Sequence, residues 1–381
     1  MGERARSVGA VDTAVTLPLP TGSSWTSVYQ GRRVLVTGHS GFKGGWMSLW
    51  LHELGAEVHG LSLLPDQEPA LFTEAGVDEV SATTFADIRS LDAVVEAFEK
   101  AKPDIVFHLA AQSLVRRGYS NPVDTYATNV MGTVNVLEAV RHHQGVRAVV
   151  IVTSDKCYED RHTLWSYRET DPLGGRDPYS SSKGCAELVT FAYQSSFFGT
   201  GSETLVASAR AGNVIGGGDW ADDRIVPDIV RALSRREPVV LRNPNSVRPW
   251  QHVLEPLRGY LLLGAHLLGG RSDLVQPWNF GPPEEAAVSV RALTEAVIEV
   301  WGEGSLVVTP DSTSEPHEAS FLSLDATKAR RLLGFKGLVD LELAIKMTVD
   351  WYRAYQSAPG DAGRLTTAQI IEYLALMDDL T

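Results

Sequence analysis

The most constraining feature of this sequence is a short apolar segment followed directly by a glycine-rich turn and an amphipathic segment. Residues 33–37 (RVLVT) have the apolar pattern of a buried parallel strand. Gly38, Gly41 and Gly44 follow, and apolar residues then recur at helical spacing up to Gly55, which stands where a helix C′ glycine belongs. Glycines at a first strand–helix turn let the backbone approach a pyrophosphate, which the helix N-terminus attracts. This pattern predicts a dinucleotide-binding turn.

Strand-like and helix-like segments alternate along the chain after this turn. The apolar runs that predict further strands are 57–62, 105–109, 148–153 and 205–210. The amphipathic segments that predict helices are one capped by Ser90, one over 121–142 and one over 179–197. This alternation predicts an α/β fold, a Rossmann-type doubly wound parallel sheet with helices on both faces.

The domain organisation follows from where this pattern begins and ends. Residues 1–30 are rich in Gly, Ser, Thr and Pro, which predicts a flexible N-terminal arm. We expect the dinucleotide-binding Rossmann domain over 31–210. Residues 211–381 have a looser pattern of glycine-rich loops, short strands and helices, which predicts mainly a smaller substrate-binding lobe, with some segments returning to the Rossmann domain.

Composition excludes several classes of protein. The formal net charge of −13 argues against nucleic-acid or anionic-membrane partners. The two cysteines, Cys157 and Cys185, form no CxxC pair, and the histidines show no HxH or HExxH spacing, so we expect no metal. No apolar run approaches the ~18 residues of a membrane helix, and 1–30 lacks the apolar core of a secretory signal. We therefore expect a cytoplasmic protein.

The sequence favours NAD over NADP as the dinucleotide. Ser62 stands at the end of the second strand, where an acidic residue usually binds the ribose hydroxyl of NAD. However, residues 56–86 contain no Lys or Arg to hold a 2′-phosphate, and Lys43 and Arg89 are the only nearby cations. The expected cofactor contacts are Gly38, Gly41, Phe42 and Gly44 in the turn, Asp87 and Ile88 after the third strand, Ala110 and Ala111 after the fourth, and Tyr179 and Lys183.

A tyrosine and a lysine open the helix at 179–197. Tyr179 and Lys183 are four residues apart and share one helix face, so the ammonium can lower the pKa of the phenol and make it usable as a base. Alone, such a pair is usually a surface feature. Together with the glycine turn and with Ser154 at the end of the preceding strand, it predicts a catalytic site in which Ser154 binds a substrate hydroxyl.

These residues resemble the extended short-chain dehydrogenase/reductase family, whose members modify nucleotide sugars. Asp155 and Lys156 follow Ser154, where the nucleotide-sugar 4,6-dehydratases of the family carry an acid–base pair. An Asp-Lys pair is similar to the subgroup that acts on CDP-glucose. The segments that carry the same likeness are 41–46 (GFKGGW), 179–187, 210–220 (RAGNVIGGGDW) and 248–252 (RPWQH), and the resemblance covers about residues 31–380.

The resemblance implies an NAD-dependent hydro-lyase that oxidises C4 of the hexose, eliminates water across C5–C6 and returns the hydride to C6. It implies Asp155 as the acid and Lys156 as the C5 base, although Lys156 could instead simply pair with Asp155 or Glu159. It further implies that Asn213, Arg224 and Arg248 hold the diphosphate. A surface ion pair is the alternative for Arg248.

The resemblance also implies a homodimer in which the helices near 121–142 and 179–198 pack against their copies. The alternatives left open are a nucleotide-sugar 4-epimerase or decarboxylase, a 4,6-dehydratase for another nucleotide hexose, and a dinucleotide-sensing protein without catalysis. Only a dehydratase would lose water and form a 4-ketone. A sensing protein would usually lack the Tyr/Lys pair.

Overall fold

The computed structural model describes residues 24–161, 165–199, 201–283, 286–309 and 322–378. The strands in these residues are β1 (Arg33–Thr37), β2 (Glu57–Ser62), β3 (Ser81–Phe85), β4 (Ile105–His108), β5 (Ala148–Val152), β6 (Leu205–Ala211), β7 (Val214–Ile215), β8 (Val239–Leu241), β9 (Val247–Pro249), β10 (Gln251–His252), β11 (Pro277–Phe280), β12 (Ala287–Ser289) and β13 (Leu306–Val308). The α-helices are α1 (Phe42–Glu53), α2 (Leu71–Glu74), α3 (Leu91–Ala101), α4 (Val115–Ser120), α5 (Pro122–Tyr126), α6 (Gly132–His142), α7 (Pro178–Ser196), α8 (Ile225–Ser234), α9 (Leu254–Leu268), α10 (Val290–Trp301), α11 (Thr327–Leu332), α12 (Leu341–Ser357) and α13 (Ala362–Asp378).

Seven parallel strands form the central sheet in the order β11-β6-β5-β4-β1-β2-β3. The chain starts in the middle at β1, runs to the edge at β3, and then crosses to β4 on the other side of β1. Because the strand order reverses between β1 and β4, a crevice opens beyond their carboxyl ends, which is where ligands bind in such sheets. The predicted doubly wound fold is confirmed.

Successive residues of the central strands point into two hydrophobic cores, as the strand period requires. Val34 and Val36 of β1 belong to the larger core, which also contains residues of α1, α9 and α12. Leu35 belongs to the other core, together with residues of α3 and α6. The sheet is therefore covered on both faces, and its residues are held rigidly at the edge where the crevice lies.

The predicted helix over 121–142 is divided in the structure. A π-helical turn, Ala127–Met131, separates α5 from α6. Within this turn, buried Asn129 bonds both backbone groups of Gln112, accepting from its N–H at 2.8 Å and donating to its carbonyl at 3.0 Å. Asn129 also donates to Ser182 Oγ at 2.8 Å, next to Lys183. The turn thus ties the segment after β4 to α7.

The predicted N-terminal arm, residues 1–30, includes a short helix that packs on the core. A 3-10 helix spans Trp25–Tyr29, and fully buried Tyr29 donates its hydroxyl hydrogen to the Leu261 carbonyl in α9 at 2.5 Å. The aromatic ring of Tyr29 packs in the core. The composition of the arm, which is rich in Gly and Ser, did not predict this contact. Residues 1–23 of the predicted arm lie outside the described residues.

The chain beyond residue 211 is shared between a small lobe and the main sheet. Strand β11 pairs with β6 at the edge of the sheet, and α9 packs against the sheet face. The other strands form three two-stranded sheets, β7 with β10, β8 with β13 and β9 with β12. Among the described helices, none combines the length and apolarity that crossing a bilayer requires.

Candidate active site

The turn between β1 and α1 forms a cradle of backbone. Gly38 has a φ of 77°, and a Cβ atom there would lie 2.7 Å from the backbone nitrogen of Ala110. A Cβ atom at Gly44 would lie 2.1 Å from the Gly38 carbonyl oxygen. Gly41 is the N-cap of α1, and no side chain caps the first turn, which Phe42 opens. The free N–H groups and the space that the glycines leave fit a pyrophosphate.

The crevice wall opposite this turn comes from the segment after β4. The backbone N–H of Ala110 donates to Thr37 Oγ1 at 3.2 Å, and Thr37 Oγ1 is hydrogen-bonded to His108 Nδ1 at 2.7 Å. These bonds hold Ala110, and with it the adjoining Ala111, against the end of β1. Both alanines therefore lie at the reversal point of the strand order, where the sequence predicts cofactor contacts.

The end of β2 carries a hydroxyl–imidazole pair instead of a carboxylate. Ser62 Oγ is hydrogen-bonded to His39 Nδ1 at 2.6 Å and accepts from the backbone N–H of Ser40 at 3.1 Å. Burial lowers the pKa of His39 to about 4, so the imidazole is neutral. This network stiffens the glycine turn and adds no cation that would attract a 2′-phosphate.

Two of the expected adenosine contacts are engaged in other interactions. Two Arg89 nitrogens donate to the Asp87 carboxylate at 2.5 and 2.8 Å, and Arg89 also pairs with Asp124. Arg89 is thus neutralised by carboxylates. The Ile88 side chain is buried against Gly132, where a Cβ atom would lie 2.4 Å from Ile88 Cδ1. Its side chain is part of the core and its carbonyl accepts from Asn135 Nδ2 at 2.8 Å, so the backbone N–H of Ile88 is left for an adenine contact.

Lys43, on the first turn of α1, is affected by the charges of the catalytic and diphosphate candidates. Burial lowers its pKa to about 8, with Arg224 and Lys183 lowering it further and Asp155 and Asp219 opposing them. The sequence suggested Lys43 as a possible partner of a 2′-phosphate. The charges that act on it belong instead to Arg224, Asp155, Lys183 and Asp219, which places Lys43 near the catalytic groups.

The catalytic serine, tyrosine and lysine converge at the end of β5. Ser154, Tyr179 and Lys183 are all buried, and Ser154 lies close enough to Tyr179 to influence the pKa of its phenol. Lys183 Nζ donates to the carbonyl of Val152, the last residue of β5, at 3.4 Å. Asp177 caps α7 through the Ser180 N–H at 2.9 Å, which fixes where the helix starts. The three predicted residues are therefore brought together.

Burial has the largest effect on the pKa of the Tyr179 phenol, and Lys183 is not among the main influences on it. Burial raises the pKa of Tyr179 to about 12, and the neighbouring Ser154 opposes that rise only in part. The charges that act on the phenol are those of Asp155, Arg224 and Asp177. The i, i+4 spacing places the two side chains on one face, but it does not set the balance between desolvation and charge.

Asp155 has the environment of a carboxylic acid. It is 3% exposed, its Oδ1 accepts from Ser154 Oγ at 2.8 Å, and its Oδ2 has no hydrogen-bond partner in the described parts of the chain. Burial raises its pKa against the opposing charges of Lys156 and Arg248. Lys156 is half-buried in the same short helical turn, and its backbone N–H donates to Ser154 Oγ at 3.2 Å.

The expected diphosphate contacts lie around the same crevice. Arg224, the N-cap of α8, donates to Asp219 Oδ2 at 2.8 Å and to Ser113 Oγ at 3.2 Å. Arg248 on β9 is 5% exposed, so it does not lie at the surface, and its charge acts on the Asp155 carboxyl. Asn213 is half-buried directly after β6. In the described residues, no cluster of His, Cys, Asp or Glu is arranged to hold a metal ion.

Sequence reasoning missed two groups of buried polar residues. One is Asn129 of the π-helical turn, and the other is an ion pair between Glu187 and Arg210 at 2.7 Å. Glu187 stands one helical turn after Lys183, and this spacing was available as a signal. Arg210 lies on β6, and no local sequence pattern links it to Glu187 on α7.

Comparison with known proteins assigns the chain to a family. A family model described as "NAD dependent epimerase/dehydratase family" matches residues 34–275. The chain belongs to this family. Its NAD dependence agrees with the cofactor that the sequence predicts.

Individual members of the family resemble the chain over most of its length. It is 46% identical over 331 residues to CDP-glucose 4,6-dehydratase of Salmonella typhimurium, a match that covers 86% of this chain and 92% of that protein. The structure of dTDP-glucose 4,6-dehydratase DesIV from Streptomyces venezuelae with NAD and TYD bound superposes with a TM-score of 0.71 at 28% identity, covering 85% and 98% of the two chains. UDP-glucose 4-epimerase of Thermus thermophilus in complex with NAD gives a TM-score of 0.72 at 27% identity, with 84% and 99% covered. Epimerases and dehydratases share this fold, so the side chains must decide between them.

Proposed function

We propose that this protein is an NAD-dependent 4,6-dehydratase that converts CDP-glucose to CDP-4-keto-6-deoxyglucose. The observation that carries the proposal is a buried carboxyl, Asp155, which follows Ser154 and accepts a hydrogen bond from its hydroxyl, directly beside Lys156 and near the buried Tyr179. A 4-epimerase needs only the hydroxyl and phenol groups at C4. An additional acid and an amine at the same place supply what elimination across C5–C6 requires. The 46% identity to a CDP-glucose 4,6-dehydratase supports the choice of nucleotide.

The first step is the oxidation of C4. Ser154 binds the C4 hydroxyl, and Tyr179 accepts its proton as general base once its phenol has ionised to the phenolate. Lys183 holds its ammonium beside the end of β5, in reach of the cofactor-binding turn. NAD, when bound in the cradle of Gly38, Gly41 and Gly44, supplies hydride acceptance from C4 and hydride return to C6.

The second step is the loss of water. A ketone at C4 makes the C5 proton acidic, because the resulting carbanion is conjugated with the carbonyl. Lys156 removes this proton as an amine base. Asp155, whose pKa is raised by burial, gives its proton to the departing C6 hydroxyl, which leaves as water. The hydride then returns to C6 as a proton is taken up at C5, and the product is a 4-keto-6-deoxy sugar.

The diphosphate of the substrate is assigned to Arg224, Arg248 and Asn213. A guanidinium can hold phosphate oxygens through two parallel hydrogen bonds. Arg248 lies close enough to Asp155 to influence its pKa, so a phosphate bound there would place the hexose next to the acid. Arg224 reaches Ser113 in the Rossmann half, which supports a role in joining the two halves around the substrate.

We further propose that the enzyme is a homodimer of the cytoplasm. Helix α7 exposes Leu188 and Phe191 at 57% and 66%, and the neighbouring stretch over α5 and the π-helical turn exposes Val123 and Met131 at 81% and 52%. Large apolar side chains in such number on adjacent helices are typical of an interface. A second copy of the same face would cover them as a four-helix arrangement. The free cysteines agree with a reducing compartment.

The proposed reaction is tested by incubating the protein with NAD and, separately, CDP-, UDP-, dTDP- and GDP-glucose. Mass spectrometry should show loss of water from CDP-glucose, with formation of a base-sensitive 4-ketone. A product of unchanged mass would indicate an epimerase, and loss of carbon dioxide from the corresponding uronic acid would indicate a decarboxylase. Loss of water from another nucleotide hexose alone would refute the assignment to CDP-glucose.

A further inference from the structure

Both ends of the catalytic segment 154–157 are attached to one buried ion pair. On the N-terminal side, Thr153 Oγ1 donates a short hydrogen bond to Glu187 Oε1. On the C-terminal side, Tyr158 Oη accepts from Arg210 Nη1 at 2.7 Å. Glu187 and Arg210 are joined to each other at 2.7 Å, and both side chains are 3% exposed. The segment that carries the acid and the amine is therefore bracketed by this pair.

The pair has further partners on β6 and, through Tyr158, on β11. Ser208 Oγ on β6 donates to Glu187 Oε2 at 2.7 Å. Tyr158 Oη donates to Asn279 Oδ1 on β11 at 2.7 Å, and the Arg210 guanidinium lies 4.9 Å from the centroid of the Tyr158 ring. A shift of the catalytic segment would break several charge-assisted hydrogen bonds at once, and these are the strong ones in a protein interior.

Glu187 also provides the negative charge closest in sequence to Lys183 on α7. Burial opposes ionisation of Glu187, yet Arg210 and the hydroxyl donors outweigh burial and lower its pKa, so it is a carboxylate. Burial lowers the pKa of Lys183 to about 8, and Glu187 opposes that change.

The other titratable groups around Lys183 do not replace Glu187. Cys157 is a neutral thiol because burial raises its pKa, and His108 on β4 is neutral because burial lowers its pKa to about 3. Tyr179 is a neutral phenol, and Lys43 on α1 carries a charge of the same sign as Lys183. The carboxylate of Glu187 is thus the charge that favours the protonated form of Lys183.

We propose that Glu187 and Arg210 are positioning residues of the reaction, an inference that rests on the proposed function. Glu187 keeps Lys183 protonated for the oxidation of C4. Arg210, through Tyr158, holds Asp155 and Lys156 in register for the elimination. A pair that served only the stability of the fold would affect the unfolding temperature but would leave the pH profile and the ratio of the two steps unchanged.

The charge is tested with Glu187→Gln, which keeps the shape and the acceptor for Thr153. We expect the alkaline limb of the rate of cofactor reduction on adding CDP-glucose to move down by about one pH unit, since a neighbouring opposite charge raises a lysine pKa by about that amount or more. The pH dependence of NADH affinity, followed by fluorescence titration without substrate, should shift in the same direction. Arg210 loses its counter-charge in this variant, so the double variant Glu187→Gln/Arg210→Gln is measured as a control. We expect the double variant to unfold at a higher temperature than Glu187→Gln, while its alkaline limb stays at the lower pH. Alkaline limbs at the wild-type pH in both variants would overturn the proposal.

The bracket is tested with Tyr158→Phe, which leaves the Glu187 charge in place. Tyr167→Phe is the matched control. The Tyr167 ring stacks on that of Tyr158 with centroids 5.1 Å apart, and in the described residues its hydroxyl accepts a hydrogen bond only from the Arg161 N–H. We expect Tyr158→Phe to slow C5 proton exchange at least tenfold more than C4 oxidation, with an unmoved alkaline limb, and the control to leave both steps unchanged. Equal slowing of both steps, or no slowing, would refute the bracket.

Failure of the wild-type enzyme to reduce NAD with CDP-glucose would instead refute the proposed function. The pH dependence of NADH affinity would then still test the effect of Glu187 on Lys183.

Discussion

The replacement Asp155→Asn separates the two halves of the proposed reaction. Asparagine keeps an oxygen that can accept from Ser154 Oγ, as Asp155 Oδ1 does at 2.8 Å, so the hydroxyls that serve C4 oxidation stay in place. The change removes the carboxyl group that would give its proton to the substrate. The Oδ2 atom of Asp155 lies beside Gly212, where a Cβ atom would be 3.2 Å from it. The loss therefore falls on the departure of the C6 hydroxyl.

The magnitude follows from the role of a general acid. Such groups contribute about 10²–10⁴-fold, or about 3–5 kcal/mol of barrier, and the buried site offers water little access to replace the carboxyl. We expect Asp155→Asn to reduce dehydration by that factor while absorbance of NADH still appears on adding CDP-glucose and persists. Some C5 exchange with deuterated solvent should remain, because Lys156 is intact.

The matched variant is Lys156→Met, which keeps the length of the side chain but cannot accept a proton. Here NADH should also accumulate, but C5 exchange should fall far below the wild-type rate. If Lys156→Met exchanged C5 at the wild-type rate, the lysine would be only an ion-pair partner of Asp155. If Asp155→Asn dehydrated CDP-glucose at the wild-type rate, Asp155 would not be the acid.

Three further outcomes are expected. Tyr179→Phe keeps the ring but removes the proton acceptor, so C4 oxidation measured by NADH formation should fall about 10²–10⁴-fold, and wild-type rates would exclude Tyr179 as the base. NAD(H) should bind more tightly than NADP(H) in equilibrium titrations, because Arg89 is held by Asp87 and Asp124 and Lys43 lies near the catalytic groups; tighter NADP(H) binding would contradict this. Phe191→Asp places a charge on the exposed apolar face of α7 and should convert a dimer to a monomer in light scattering, whereas a monomeric wild-type protein at micromolar concentration would remove the basis for the dimer.

Local sequence pattern was sufficient for the elements that bind the cofactor. Strands β1 and β2 have the bounds that their apolar runs predict, and Ser90 caps α3 through the Ala93 N–H at 3.3 Å as expected. Such features are encoded within a few residues, since strand burial, helix capping and glycine turns depend on near neighbours in the chain. The grouping of Ser154 with Tyr179 and Lys183 was likewise predictable, because a strand end and the following helix in a doubly wound sheet meet at one edge.

Only the tertiary structure decided the charges inside the site. Lys43 and Arg89 looked equivalent as cations near the cofactor, yet one lies near Asp155 and the other is held between Asp87 and Asp124. Burial, which raises the pKa of Tyr179 to about 12, depends on how several elements dock over the side chain and is not written in the Tyr–Lys spacing. The Glu187–Arg210 pair joins positions 23 residues apart on a helix and a strand. Pairings of this kind form only after packing has excluded water, which is why the local pattern does not contain them.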